Sequence, residues 1–441
     1  MEILIQALQL ILSLSILVIF HEFGHFIAAK IFKTRVEKFY LFFNPGFSIF
    51  KIRGKETEYG MGWLPLGGYV KISGMIDESM DKEQMKQPPK PYEFRSKPAW
   101  QRLIIMLGGV TVNIILAAVI YIMMLALWGE QYLPTSQVKY GITVDSLAYE
   151  MGLRDGDKIL SIDGEEVENF SRIPAKIILD KAQQVKVLRD GQDQIVDVPD
   201  GFLSKMVEKQ APSFISIRFP YKVGKFAKGS AAKEAGLQEG DKLIALNGKE
   251  MTFFNDYARE IPKHKNEEIK LTVLRNGDTM NYNVKVPEKG KIGVYPKSPQ
   301  DYFEFAQKSY GIIEAVPAGI EKAYNGIGNY LKQLKLIFSP DVKAYKSVGG
   351  FITIGSIFPA TWDWEAFWSL TAFLSIMLAI LNVLPIPALD GGHVMFLLYE
   401  IISGRQPGEK FMEYSQIAGM LILLSILILA NGNDILRLIN G

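Results

Sequence analysis

Cysteine is absent from this 441-residue chain, and histidine occurs only four times. The first absence excludes disulfides and thiolate metal sites, so any zinc must be held by nitrogen and oxygen. It leaves the redox compartment open, because cysteine-free chains occur on both sides of a membrane. An excess of charge of one sign is also missing. The 49 basic and 47 acidic residues leave a net +2, which gives no footing for nucleic acid. The length suits two or three domains. The mean hydropathy of +0.11 is high for a soluble protein, because apolar residues are gathered into a few blocks.

Those blocks are Ile3–Phe32, Leu103–Trp128, Phe367–Leu384 and Ile417–Ala430. The first three are long enough to cross about 30 Å of hydrocarbon as helices. The fourth reaches about 19 residues when Met412–Gln416 is added, enough to span. Val394–Ile402 is apolar but short. The first block is expected to be retained rather than cleaved, since it starts Met1-Glu2 and has neither a basic leader nor a small-residue cleavage site. Basic residues orient the spans. Lys33, Arg35 and Lys38 follow the first, with Lys30 in its last turn, and Arg95, Lys97 and Arg102 precede the second. The intervening loop is therefore expected on the cytoplasmic side, with the large middle segment and the C-terminus outside.

Within that loop, Phe47–Arg53, Glu58–Trp63 and Gly68–Ile72 read as strands of a small β-ribbon, separated by Gly54-Lys55-Glu56-Thr57 and Leu64-Pro65-Leu66-Gly67. Charged 80–98 reads as a linker. The middle segment repeats itself. SLAYEMGLRDGDKILSIDG begins at Ser146 and SAAKEAGLQEGDKLIALNG at Ser230, nine of nineteen positions being identical at an offset of 84. That offset suits two copies of one small domain rather than a solenoid. Each copy has a short helical piece, a Gly-Asp turn, an apolar strand and an Asp-Gly or Asn-Gly turn. Beyond the copies, Phe303, Phe305, Ile312, Ile313, Val316, Ile320, Tyr324, Ile327, Leu331, Leu334 and Phe338 recur at roughly helical spacing. A membrane-surface helix pair and an ordinary amphipathic core helix fit them equally.

The chemistry gathers in the first span, at His21-Glu22-Phe23-Gly24-His25. Histidines at i and i+4 share a helix face with Cβ atoms about 6 Å apart, a spacing that chelates one metal ion. Glu22 projects beside them and can take a proton from an attacking water. His21 lies about 18 residues into the helix, roughly 27 Å along it, within or near the cytoplasmic part of the hydrocarbon. Polar groups buried there cost several kcal/mol unless paired or metal-bound. A third ligand is required, the fourth position being left to water. Asp390, in Asn382-Val-Leu-Pro-Ile-Pro-Ala-Leu-Asp-Gly-Gly-His393, is the expected one, since the prolines and glycines break the helix and free the carboxylate to turn inward. His393 is read as supporting or structural, and His264, in a Lys-rich stretch of the second copy, as a surface residue.

The motif HEFGH in the first span, NVLPIPALDG in the third and the paired repeat between spans two and three resemble the site-2 protease family, in its bacterial branch with tandem PDZ domains. The resemblance covers essentially the whole chain. It implies a polytopic α-helical membrane protein with four transmembrane helices, a cytoplasmic-side membrane-associated β-loop and two α+β PDZ-like domains outside. The organisation it supports has the first span with HEFGH over 1–32, the loop with its ribbon over 33–99 and the second span over 100–128. PDZ-like domains follow over 129–218 and 219–300, then an amphipathic or membrane-surface helical segment over 301–362. The third span with the LDG motif covers 363–393, and 394–441 holds a cytoplasmic-side loop, the fourth span and an external C-terminus.

The resemblance further implies one Zn²⁺ on His21, His25 and Asp390, with Glu22 as general base. It places Asn382 near the substrate backbone, with Pro385 alongside. It likens Glu58–Lys71, including Pro65, Gly67, Gly68 and Tyr69, to a β-loop that holds the unwound substrate as an added strand. Gly109, Asn113 and Pro387 are structural residues near the site, and Phe94, Pro98 and Trp100 match the family's FxxxPxW segment. Val110 departs from the proline common at that place. The implied function is intramembrane zinc endoproteolysis of single-pass membrane proteins such as anti-sigma factors, with remnant signal peptides as a further class. The implied setting is the bacterial inner membrane, with the lipid bilayer as partner. The external copies either shield the site from bulky substrates or bind peptide ligands. A metal transporter would need several intramembrane ligands along a path, and one cluster is visible. A silent scaffold is disfavoured by the intact His21, Glu22, His25 and Asp390.

Overall fold

The computed structural model describes residues 2–65, 67–75, 87–208, 214–337 and 349–440. It divides into two compact units: the first comprises Met1–Gly129, Ser309–Ser339 and Ala344–Gly441, and the second is essentially Glu130–Lys308. Among the described residues, four helices of the first unit are long and apolar enough to cross a membrane. They are α1 (Glu2–Ile31), α2 (Ala99–Leu127), a third over Trp364–Val383 and a fourth within Glu409–Asn440.

Helix α1 buries Gln9, Leu10, Ser13, Leu17, His21, Gly24, His25, Ala28 and Ala29, a single stripe at helical spacing. Its C-terminal part, from His21 to Ala29, faces α2, while Leu10 and Leu17 pack with Phe367 and Leu374 of the third span. The crossing is backbone to backbone, because Gly24 and Gly108 leave no side chain between the helices. The Thr371 hydroxyl donates to Ser13 Oγ at 3.0 Å, and Ser375 donates to the Asn113 carbonyl at 2.7 Å. These two bonds tie the third span to α1 and α2 where no water can stand in for them.

The loop after α1 is more than a ribbon. It forms a four-stranded sheet in the order β2-β3-β1-β4, with β1 (Val36–Leu41), β2 (Phe50–Arg53), β3 (Glu58–Met61) and β4 (Tyr69–Ile72). The strand missed by sequence reading is the central one. β1 runs parallel to β3 (Lys38 opposite Glu58) and antiparallel to β4 (Tyr40 opposite Tyr69). The expected pairing of Glu58–Trp63 with Gly68–Ile72 therefore does not form, since β1 lies between them. β3 is interior, and β4 is an edge. Of the expected 80–98 linker, 80–86 lies outside the described residues.

In the second unit both sequence copies build the same motif. The first contains β6 (Ile142–Val144), α3 (Ser146–Met151), β7 (Lys158–Ile162), α4 (Ile173–Leu179), β8 (Gln184–Arg189), β9 (Gln192–Asp197) and β10 (Ile215–Ile217), after a leading strand β5 (Glu130–Tyr132). The second contains β11 (Val223–Phe226), a short helical turn over Ala231–Glu234, β12 (Lys242–Leu246), α7 (Phe254–Glu260), β14 (Glu268–Arg275), β15 (Asp278–Lys285) and β16 (Val294–Pro296). In each, the aspartate of the Gly-Asp turn is buried and held by an arginine from a later strand. Arg189 grips Asp157 and Arg275 grips Asp241, each through two contacts of 2.7 Å. Arg259 of the second copy reaches Asp155 Oδ2 at 2.7 Å and Thr143 Oγ1 at 2.8 Å in the first.

Phe303 does not join the helix expected after the copies. It is 5% exposed in the core of the second unit, and Phe305 packs beside it. The helix α8 starts at Ile312 and ends at Ile337, and it lays Ala315, Gly319 and Ala323 inward. Ala323 packs in one cluster with Ala117 and Tyr121 of α2 and Ile376 of the third span. Phe338 lies outside the described residues.

Candidate metal centre

The third span stops at Val383, as its sequence requires. Pro385 and Pro387 lack the donors that would continue the helix, and Leu384, ahead of the first proline, is extended at φ −56°, ψ 141°. A tight turn follows, with Ile386 N–H donating to the Leu384 carbonyl and Leu389 N–H to that of Ile386. Ala388 takes φ +87°. A new helix, α11, then runs over Asp390–Ser403, so Asp390 sits in its first turn, where a carboxylate is favoured by the helix dipole.

This turn brings Asp390 to the histidines of α1. Asp390 Oδ2 lies 3.2 Å from His21 Nε2 and 3.2 Å from His25 Nε2, and the two imidazole nitrogens are 3.3 Å apart. The three atoms make a nearly equilateral triangle. Ligands about 2.0–2.1 Å from a tetrahedral zinc are separated by about 3.3 Å, so the triangle has the dimensions of one face of that tetrahedron. The histidines are buried at 8% and 7% exposure, and Asp390 Oδ2 is shut away from solvent without a hydrogen-bond partner. Three lone pairs converging in a buried place call for a cation. Among the described residues these three form the group able to hold a metal.

The imidazoles are fixed from behind. His25 Nδ1 lies 2.9 Å from the Ile105 carbonyl of α2. A carbonyl only accepts, so Nδ1 carries the proton and Nε2 presents its lone pair to the triangle. His21 Nδ1 lies 3.2 Å from the Asn113 side-chain amide, also on α2. Gly109 stands between these contacts. A Cβ there would fall 2.5 Å from His25 Nε2 and 2.6 Å from His21 Cε1. Only glycine leaves the two rings their room.

A cavity of about 390 Å³ opens on the triangle, lined by Glu22, Phe43, Gly68, Tyr69, Val70, Lys71, Ile72, Met106, Ala388, His393 and Gln416 besides the three. Every residue of β4 thus contributes to its wall. Gly68 and Tyr69 are among the expected substrate residues, and they lie here. Pro65 and Gly67 belong to the preceding turn, with Gly67 packed against Phe43. Asn382, in the last turn of the third span, directs its amide nitrogen to within 3.3 Å of His21 Nε2. Pro385 and Pro387 shape the turn before Asp390. His393 lines the cavity but is not part of the triangle, and His264 is bonded to Glu267 at 2.7 Å within the second unit. Sequence reading missed Ile105, whose role rests on a backbone carbonyl and leaves no side-chain signal. It also missed Gln416, a polar residue in the first half of the fourth span.

A buried metal-ligand triangle with a carboxylate beside it, inside a bundle of membrane-spanning helices, defines an intramembrane zinc metalloprotease. The model of peptidase family M50 matches residues 9–426, and the chain belongs to this family, the site-2 proteases. It is 28% identical to Protease RseP of Yersinia pestis over 469 residues, covering 99% of this chain and 100% of that protein. It is 29% identical to the regulator of sigma E protease of Haemophilus influenzae, covering 97% and 98%. A Neisseria meningitidis relative named as a candidate zinc metalloprotease is 28% identical over 98% of this chain and 99% of its own length.

Proposed function

We propose that this chain is a bacterial inner-membrane endopeptidase that cuts single-pass transmembrane proteins of the anti-sigma-factor type, and remnant signal peptides, within the bilayer. His21, His25 and Asp390 hold one zinc ion, and the triangle of 3.2–3.3 Å edges is the observation that carries the reading. Zinc in that position supplies a Lewis acid that polarises the scissile carbonyl and acidifies water. Glu22 takes the proton of the attacking water and returns it to the leaving nitrogen. Asn382 offers its amide N–H to the carbonyl oxygen as charge develops there.

A transmembrane helix hides its amides in its own hydrogen bonds, so it must unwind to be cut. β4 supports this role. Among the described residues it is the edge of its sheet and pairs with β1, and its residues line the cavity. An unwound segment adds to it as a further strand and gains main-chain hydrogen bonds in exchange for those it lost. The two copies of the second unit act as PDZ-like domains outside the membrane that restrict access to substrates already trimmed by another protease. The cavity then lies toward the cytoplasmic side, a placement that the basic residues flanking α1 and α2 support. The sigma-E role carried in the names of these relatives is the pathway this reading assigns.

The test is a transmembrane reporter cleaved by purified protein in detergent. Glu22→Gln is expected to keep its zinc and lose cleavage by at least a hundredfold. Asp390→Ala is expected to lose both. Cleavage by Glu22→Gln near the wild-type rate, or undiminished zinc in Asp390→Ala, overturns the assignment.

A further inference from the structure

The two imidazoles of the triangle are held by unlike partners. Behind His25 stands a carbonyl, which fixes the tautomer. Behind His21 stands Asn113, whose amide presents either an oxygen or a nitrogen depending on which way round it sits. Asn113 is fully buried, and its Nδ2 lies 3.2 Å from His21 Nδ1. The other amide atom, Oδ1, is buried without a hydrogen-bond partner, so nothing around it pins the amide in that sense. The residue's own backbone is fixed, because Ser375 donates to its carbonyl at 2.7 Å. The amide can therefore take either sense on a fixed backbone.

We infer that Asn113 is a positioning residue for the metal, turning Oδ1 toward His21 so that it accepts the Nδ1 proton and commits Nε2 to zinc. The inference rests on the zinc reading of His21, His25 and Asp390. Its chemistry follows from the imidazole. A neutral ring that gives Nε2 to a metal must carry its proton on Nδ1, and a buried N–H left without an acceptor is disfavoured. An amide nitrogen facing Nδ1 would favour the opposite tautomer, with the proton on Nε2, where the metal belongs. Asn113 thus does for His21 what the Ile105 carbonyl does for His25. Acceptors that hold the far nitrogen of a ligating imidazole typically carry about 10–100-fold in metal affinity.

The experiment is zinc affinity by chelator competition on the purified full chain in detergent, with cobalt substitution as a spectroscopic readout. Asn113→Leu keeps the volume and removes the acceptor. Asn113→Asp offers only acceptors when ionised. The expected result is a 10–100-fold weaker zinc affinity in Asn113→Leu and an affinity within about threefold of wild type in Asn113→Asp, with the cobalt spectrum of the latter unchanged. An Asn113→Leu protein that binds zinc like wild type overturns the inference, and so does a folded Asn113→Asp protein that has lost it. If Asn113→Leu fails to fold, Asn113→Asp decides alone. A wild-type chain that holds no zinc would instead overturn the reading on which the inference rests.

Discussion

Gly24 of α1 and Gly108 of α2 approach so closely that a Cβ on Gly24 would lie 2.2 Å from the Gly108 carbonyl oxygen. The obstacle on both sides is backbone, which cannot rotate away. This contact sets how deeply the stripe carrying His21 and His25 sinks against α2, and therefore where Ile105 and Asn113 meet the rings.

Replacing Gly24 by alanine is accordingly expected to push the helices apart. Overpacking of this kind costs about 1–3 kcal/mol. The larger consequence is chemical, because a shift of some tenths of an ångström at the crossing spoils the triangle. Thermal unfolding in detergent should show a modest loss and reporter cleavage a severe one. Gly328 of α8 has nothing within 4 Å of its Cβ position, so Gly328→Ala is the control and should be neutral or slightly stabilising.

A second expectation concerns the ion pair of Arg102, near the start of α2, with Glu400 of α11. Both side chains are largely buried, at 10% and 15% exposure, and Arg102 also donates to the Lys97 carbonyl at 2.9 Å. The pair ties the helix that begins at Asp390 to the helix that holds the histidines from behind. Removing one partner leaves a buried charge uncompensated, at roughly 3–5 kcal/mol. Glu400→Leu and Arg102→Met should each lower the unfolding midpoint strongly, while the double variant recovers much of the loss. Two additive single effects would show that the groups do not depend on each other.

Acid should weaken the second unit through particular carboxylates. Burial pushes the Asp241 carboxyl up, but the Arg275 guanidinium and the Gln238 N–H outweigh it and hold it below the ordinary carboxylate range. Asp155 behaves alike, with burial opposed by Arg259, the Val144 N–H and the Thr143 hydroxyl. A folded pKa below the unfolded value of about 3.9 gives stability that is present above that pH and is lost as pH falls through the folded value. Hydrogen exchange of the full chain should show residues of β12 and β14 losing protection below about pH 4. Arg275→Met should lower that protection already at neutral pH and flatten the acid response. A pH profile unchanged in Arg275→Met would remove this pair as its source.

Much of the metal centre was legible in the sequence because its signals are local. HEFGH puts two ligands on one helix face by spacing alone, and the prolines before Asp390 announce a broken span where a carboxylate can turn. Asn113 and Gly109 were legible only through resemblance, since a single asparagine or glycine in an apolar helix says nothing of what it faces. β1 escaped notice because Val36–Leu41 is short, follows a span directly and owes its place to a parallel partner some twenty residues on. Arg189 and Arg275 were hidden for another reason. They sit outside the most similar stretch of the two copies, and their offset differs from it by two residues. Phe303 carried the right spacing for a helix and was claimed by another core, where tertiary packing overrides periodicity.

The first strand of the second unit, β5, pairs antiparallel with its last, β17 (Ala306–Lys308), with Glu130 opposite Lys308 and Tyr132 opposite Ala306. The chain thus enters and leaves this unit through neighbouring strands, zipped like the neck of a bag. A module closed in this way asks little of its host. Its contents can be lengthened, shortened or exchanged over evolutionary time while the span before it and the helix after it keep their places. Under the access role proposed for this unit, selectivity and chemistry can then change separately.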